Sequence, residues 1–206
     1  MGTPEFAVSC LKRIIEDGHE VVLVLTQADK PKGRGYTLTP PPVKAYALTH
    51  GIEVYQPEKL KNNSEARAKI AGCEVDVAVV VAFGQILPLE VLAIPKYGCI
   101  NVHASLLPKY RGAAPIQWSV INGEKETGVT TMLMDSGLDT GDMLIKRSVE
   151  ITPDMTAGEL HDLLAAEGSV ALSDTLKAME KGALRPEKQD DSLSCYARML
   201  SRDLSP

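Results

Sequence analysis

The chain has 206 residues, of which 44% are apolar and 24% charged, and its formal net charge is −5. That length supports one well-buried core with a tail rather than two full domains. The acidic balance gives no whole-molecule field for a polyanion, so a nucleic acid would have to meet a local basic patch.

The chain opens on M-G-T-P-E-F, which reads as the loop and helix start that follow a first strand, although no strand precedes it. Strand-like runs rich in β-branched residues at 20–27, 53–56, 75–83 and 99–103 alternate with helix-like segments at 42–50, 64–71 and 87–94. The run V-D-V-A-V-V-V-A-F is almost continuously apolar, as a parallel strand covered on both faces should be. It is far shorter than the roughly 18 to 20 residues a membrane span needs. Further on come a helix at 115–122 and strands at 128–135 and 143–151, joined by S-G-L-D-T-G-D. Thr156 with Glu159 three residues on predicts an N-capped helix, its apolar face carried by Leu160, Leu163, Leu164, Val170 and Leu172, and Gly182 predicts its end. From Pro186 the chain turns polar. The expected architecture is α/β, a doubly wound, mostly parallel, Rossmann-like sheet with its first strand missing. Its expected extents are a domain over 1–184 and a linker or tail over 185–206.

The candidate chemistry lies in Asn101 to Gly112, N-V-H-A-S-L-L-P-K-Y-R-G. Asn101 and His103 are two residues apart on a predicted strand, so their side chains share a face. With a carboxylate from the 136–142 loop, an amide and an imidazole can run acyl transfer without a covalent intermediate. The amide N–H holds a developing oxyanion, the imidazole moves a proton, and the carboxylate fixes the imidazole's tautomer and stabilises its charged form. Asp135, Asp139 and Asp142 are all candidates for that carboxylate, and the residues alone do not choose among them. His19, His50 and His161 read as structural or exposed.

The G-R-G of residues 33–35 lacks the G-x-G-x-x-G pattern of a dinucleotide site. Lys30, Lys32, Arg34 and Lys44 instead put local positive charge on a proline-restrained loop suited to phosphate contacts. Lys109 and Arg111 either add to that surface or form an ordinary solvated face. Cys10, Cys73, Cys99 and Cys195 lack metal-ligand spacing, which argues for reduced thiols in the cytoplasm and against a zinc site.

With these residues in hand, the chain resembles the methionyl-tRNA formyltransferase family of folate-dependent formyltransferases. The likeness runs from Met1 to about Arg198. It is carried by G-T-P-E-F-A, K-P-K-G-R-G-Y-T-L-T-P-P-P-V-K, N-V-H-A-S-L-L-P-K-Y-R-G-A-A-P-I-Q-W and T-G-V-T-T-M-L-M-D-S-G-L-D-T-G-D-M-L. The resemblance implies transfer of a formyl group from 10-formyltetrahydrofolate to the methionyl amino group of initiator tRNA, with no metal. It selects Asn101, His103 and Asp139 as catalytic residues, and Ser105, Leu106, Leu107 and Pro108 on the folate side. Gln85, Ile86 and Leu87 become a wall for the pterin ring, and Lys32 and Arg34 become tRNA contacts. The family carries a further C-terminal tRNA-holding domain, so this chain is expected to be the catalytic domain. A monomer without membrane contact is the working expectation. The rival readings are a formyltransferase acting on a small amine, such as a nucleotide or amino sugar, and a catalytically weak folate-binding module.

Overall fold

The computed structural model describes residues 1–32 and 36–201. The chain divides into two compact units, Met1–Asn101 and Val102–Pro206.

The first unit is built on parallel pairing. Helix α1 (Glu5–Glu16) starts behind Pro4 and buries Phe6, Ala7, Cys10 and Leu11, a one-sided helical spacing. Strand β1 (Val24–Leu25) follows, then the antiparallel hairpin of β2 (Lys30–Lys32) and β3 (Thr37–Thr39). Next come α2 (Pro42–Thr49), β4 (Val54–Tyr55), α3 (Ser64–Ala71), β5 (Ala78–Val80), the short α4 (Leu89–Leu92) and β6 (Cys99–His103). Strand β1 pairs in parallel with β4, and β5 pairs in parallel with β6 through Ala78–Cys99, Val79–Ile100 and Val80–Asn101.

The lane between β1 and β5, where a doubly wound sheet keeps its first strand, is held by Met1 and Gly2. Gly2 N–H donates to Leu25 O at 3.0 Å, Val81 N–H donates to Met1 O at 2.9 Å, and the terminal amine donates to Val79 O at 2.6 Å. Met1 and Gly2 thus satisfy backbone groups of β1 and of the β5 segment through Val81. Burial pushes the amine's pKa down to about 6.

The strands predicted over 20–27 and 75–83 shrink to two and three residues, because an apolar run reports burial whereas a strand also requires a partner's hydrogen bonds. The β2–β3 hairpin had no sequence cue, since Pro31 and the glycines interrupt any alternation. Its base is tied down by polar contacts. Lys44 Nζ donates to both Asp29 oxygens, at 2.9 and 2.8 Å, and to Gln56 Oε1 at 2.8 Å. These hydrogen bonds, with Lys44 first, hold the Asp29 carboxyl below its usual range.

In the second unit, β7 (Arg111–Gly112) and α5 (Pro115–Ile121) precede the antiparallel pair β8 (Glu126–Leu133) and β9 (Met143–Glu150). Helix α6 (Ala157–Glu180) then covers that pair, capped by Thr156 in a reciprocal box with Glu159, and Gly182 follows it at a φ of 61°. Leu160, Leu164 and Leu172 are its buried residues on the predicted face, while Leu163 stays 38% exposed. A hydroxyl pair, Thr131 and Thr175 at 2.7 Å, joins β8 to α6. The segment from Glu187 to Ala197 docks on this unit. Glu187 bridges Met143 in antiparallel fashion, and β10 (Tyr196–Ala197) pairs in parallel with β7. No helix among the described residues is long and apolar enough to cross a membrane.

Leu164→Ala is expected to cost about 2–5 kcal/mol in urea unfolding. Leu163→Ala should cost about 1 kcal/mol or less; equal losses would contradict the face assigned to α6. Burial pushes the thiol of Cys10 up to about 12 and that of Cys99 up to about 11, whereas Cys195 is exposed. Iodoacetamide near neutral pH should therefore modify Cys195 in the folded protein and reach Cys10 and Cys99 only after denaturation. Modification of either buried thiol in the native state would contradict this.

Candidate active site

Strand β6 carries Asn101 and His103, both nearly fully buried, two residues apart in an extended segment. Extended backbone sends both side chains to one side. The ring of His103 is fixed first by a backbone group, its Nε2 lying 2.9 Å from Tyr110 O. A carbonyl has no proton to give, so Nε2 carries the N–H and Nδ1 is the nitrogen left to exchange a proton. Nδ1 faces Asp139, whose Oδ2 lies 3.7 Å away. The tautomer, expected to come from Asp139, is thus set by Tyr110.

Tyr110 adopts a φ of 59°, a left-handed conformation that costs a non-glycine residue roughly 1–2 kcal/mol. Its side chain shows what holds it there. The phenol donates to Glu124 at 2.6 Å and accepts from Asn122 at 2.9 Å. Its backbone N–H donates to Cys195 Sγ at 3.2 Å. Burial, then the bond to Glu124, raises the phenol's pKa.

Asp139 sits in the loop between β8 and β9, also left-handed, at a φ of 55°. Its Oδ2 accepts the Gly112 N–H at 2.8 Å. Gly112 has a φ of 112°, and a Cβ there would lie 2.5 Å from the Tyr196 ring. A glycine therefore permits the approach of β7 to both Asp139 and Tyr196. The competitor Asp135 is spent within its own turn, accepting from Gly137 N at 3.0 Å and Thr140 Oγ1 at 2.7 Å. Of the three loop carboxylates, Asp139 is the one that meets the imidazole.

The segment after His103 turns under two bonds to Thr130, a residue with no sequence cue beyond its place in a buried strand. Thr130 Oγ1 donates to Ser105 O at 2.7 Å and accepts from Leu107 N at 3.1 Å. Ser105 is fully buried, its hydroxyl donating to Lys109 O at 2.6 Å. Leu107 lies in a core cluster with Met132 and Met143. Leu106 and Pro108 keep part of their surface. In the first unit, Gln85 is bound to the 57–60 loop through Pro57 O at 3.0 Å and Leu60 N at 3.1 Å. Leu87 is buried there, whereas Ile86 is 85% exposed.

Among the cations, Arg34 lies outside the described residues, and of Lys32 only its backbone place in β2 is described. Lys44 is paired with Asp29 at 2.8 Å, and Lys30 donates to Gln27 Oε1 at 2.9 Å. Arg111 is paired with Asp191 at 2.8 Å, and the exposed Lys109 lies 4.0 Å from Glu124. Among the described residues, no group of three or more His, Cys, Asp or Glu side chains could hold a metal ion.

A buried imidazole with one nitrogen held by a carbonyl and the other facing a carboxylate is an arrangement able to move a proton. Residues 1–176 match the formyl transferase family, and the chain belongs to it. Among curated relatives, a methionyl-tRNA formyltransferase of Caldanaerobacter subterraneus subsp. tengcongensis is 57% identical over 99% of this chain and 66% of its own length. One from Geobacter metallireducens is 58% identical over 98% of this chain and 65% of its own length. The chain thus spans just under two thirds of the relatives it matches. Solved structures share the fold. An N-formyltransferase from Helicobacter canadensis, in complex with folinic acid and dTDP-3-aminofucose, aligns at a TM-score of 0.71 and 22% identity, covering 96% of this chain and 68% of its own. A phosphoribosylglycinamide formyltransferase from Bacillus halodurans aligns at 0.71 and 22%, covering 88% and 93%. The folds match the Rossmann-like α/β expectation.

A Cβ at Gly141 would fall 1.8 Å from Leu133 O. Gly141→Ala must therefore displace the Asp139 loop or strain β8, and should lower Tm by roughly 3–10 °C; an unchanged melt would contradict the close approach.

Proposed function

We propose that this chain moves the formyl group of 10-formyltetrahydrofolate onto the α-amino group of methionine carried on initiator tRNA, in the cytoplasm. The observation that carries the chemistry is the approach of His103 Nδ1 to Asp139 Oδ2 at 3.7 Å, with Nε2 held by Tyr110 O. The acceptor is supported by the relatives, which are named methionyl-tRNA formyltransferases at 57–58% identity.

The reaction needs no nucleophilic side chain. The amine nitrogen attacks the formyl carbon, and the carbonyl electron pair moves to oxygen, giving a tetrahedral intermediate. Asn101 donates to that oxyanion. The amine's proton passes to the Asp139–His103 pair, directly or through water. The bond between the formyl carbon and N10 of the donor then breaks as the oxygen pair returns, and N10 takes up a proton. On the second unit, Leu106 and Pro108 retain surface for the donor and Ser105 and Leu107 are their buried supports. On the first unit, Ile86 retains surface for the pterin ring, with Gln85 and Leu87 as its supports. Lys32 and Arg34 take acceptor-arm phosphates. Residues 1–184 form the catalytic domain, against which the segment from Glu187 to Ala197 is docked. The protein acts as a monomer.

The test is formyl transfer by the purified chain from 10-formyltetrahydrofolate to methionyl initiator tRNA, beside an amino sugar nucleotide and an aminated purine precursor. Turnover with the tRNA alone is expected; preference for a small amine would overturn the acceptor. Asn101→Ala, His103→Ala and Asp139→Ala should each fold and lose about 100- to 1,000-fold in rate. Near-full activity in any of them removes that residue from the scheme.

A further inference from the structure

We infer that Gln189 is a positioning residue for the Asp139 carboxylate, acting through the backbone of the 136–142 loop. This rests on the proposed catalytic role of Asp139. The side-chain amide of Gln189 donates to Asp139 O at 2.8 Å and to Gly141 O at 2.7 Å. Its oxygen accepts from Arg111 Nε at 3.0 Å, and the same guanidinium reaches Asp191 at 2.8 Å. The orientation of the amide follows from its partners. A guanidinium only donates and carbonyls only accept, so the oxygen must face Arg111 and the nitrogen must face the loop.

The two donated bonds bracket the strained part of the loop. Asp139 has a φ of 55°, and its own carbonyl is one of the two that Gln189 holds. An aspartate tolerates the left-handed region but does not prefer it. Release of its carbonyl lets residue 139 relax toward right-handed geometry. That rotation carries the carboxylate away from both His103 Nδ1 and the Gly112 N–H.

Gln189 can hold the loop because its own segment is anchored on both sides. Glu187 and Met143 exchange backbone bonds of 2.9 and 2.8 Å. Further along, Arg111 N donates to Cys195 O at 2.9 Å and Ala113 N donates to Ala197 O at 3.0 Å. A catalytic group is best held by supports that cannot themselves move. The polar segment past Pro186 is such a support.

The experiment uses Gln189→Ala and Gln189→Glu in the full chain. Glutamate keeps the size and the acceptor for Arg111 but cannot donate to the loop carbonyls when ionised. The first readout is backbone amide exchange by NMR at Arg111, Gly112 and Ala113. Gly112 donates to Asp139 Oδ2, whereas its two neighbours donate to Cys195 O and Ala197 O. Both variants should speed Gly112 exchange about ten-fold while Arg111 and Ala113 stay within about two-fold. An unchanged Gly112, or equal acceleration of all three amides, would overturn the inference, the latter because it marks loss of docking rather than loss of aim. The second readout is kinetic. In both variants kcat for formyl transfer should fall about 10- to 100-fold with KM for donor and acceptor unchanged. In an Asp139→Asn background, Gln189→Glu should cost nothing further, and an additive loss would overturn the inference. If Asp139→Asn alone retains full turnover, the catalytic reading of Asp139 fails, and the Gly112 exchange still decides whether Gln189 aims the carboxylate.

Discussion

The hydrogen bond between His103 Nε2 and Tyr110 O is the contact on which the site depends. It decides which ring nitrogen keeps its proton, so the other nitrogen alone can exchange one, and it points that nitrogen at Asp139. The bond requires a left-handed Tyr110, which the second unit stabilises by tethering the phenol to Glu124 and Asn122 and the backbone N–H to Cys195. Asp139 is likewise left-handed and likewise tethered, through its side chain to Gly112 and through its carbonyl to Gln189. Two unfavourable backbone conformations therefore face each other across one imidazole. Backbone strain of this kind persists where the surroundings over-determine it, and it gathers where groups must be aimed.

Much of the frame was legible in the sequence. The strand at 99–103 and the helices at 64–71 and 157–180 follow from β-branched runs, helical spacing and the Thr156–Glu159 cap, all local signals. What escaped has a common physical origin in distance along the chain. The two-residue strands β7 and β10 carry no pattern and exist only through pairing across more than eighty residues. Gln189 reads as one polar residue among many, because its partners lie about fifty residues away. Thr130 and the Tyr110 carbonyl were equally silent, the first as a small buried strand residue and the second as a backbone atom.

The candidate site divides in the same way. Asn101 and His103 could be paired from strand periodicity alone. Asp139 could not be separated from Asp135 and Asp142 by any local rule, since all three lie in or beside a loop rich in glycine. Geometry separates them. Asp135 closes its own turn with Gly137 and Thr140, and Asp139 turns inward to the imidazole and to Gly112.

The ion pair between Lys44 and Asp29 has a consequence for how a polyanion would be held and released. With Lys44 held by Asp29, its charge is spent inside the fold rather than on a phosphate. Each phosphate neutralised fewer lessens the loss of polyanion binding between 50 and 200 mM salt by roughly 3.5-fold. A polyanion held by one cation fewer also releases one counterion fewer on docking and departs sooner.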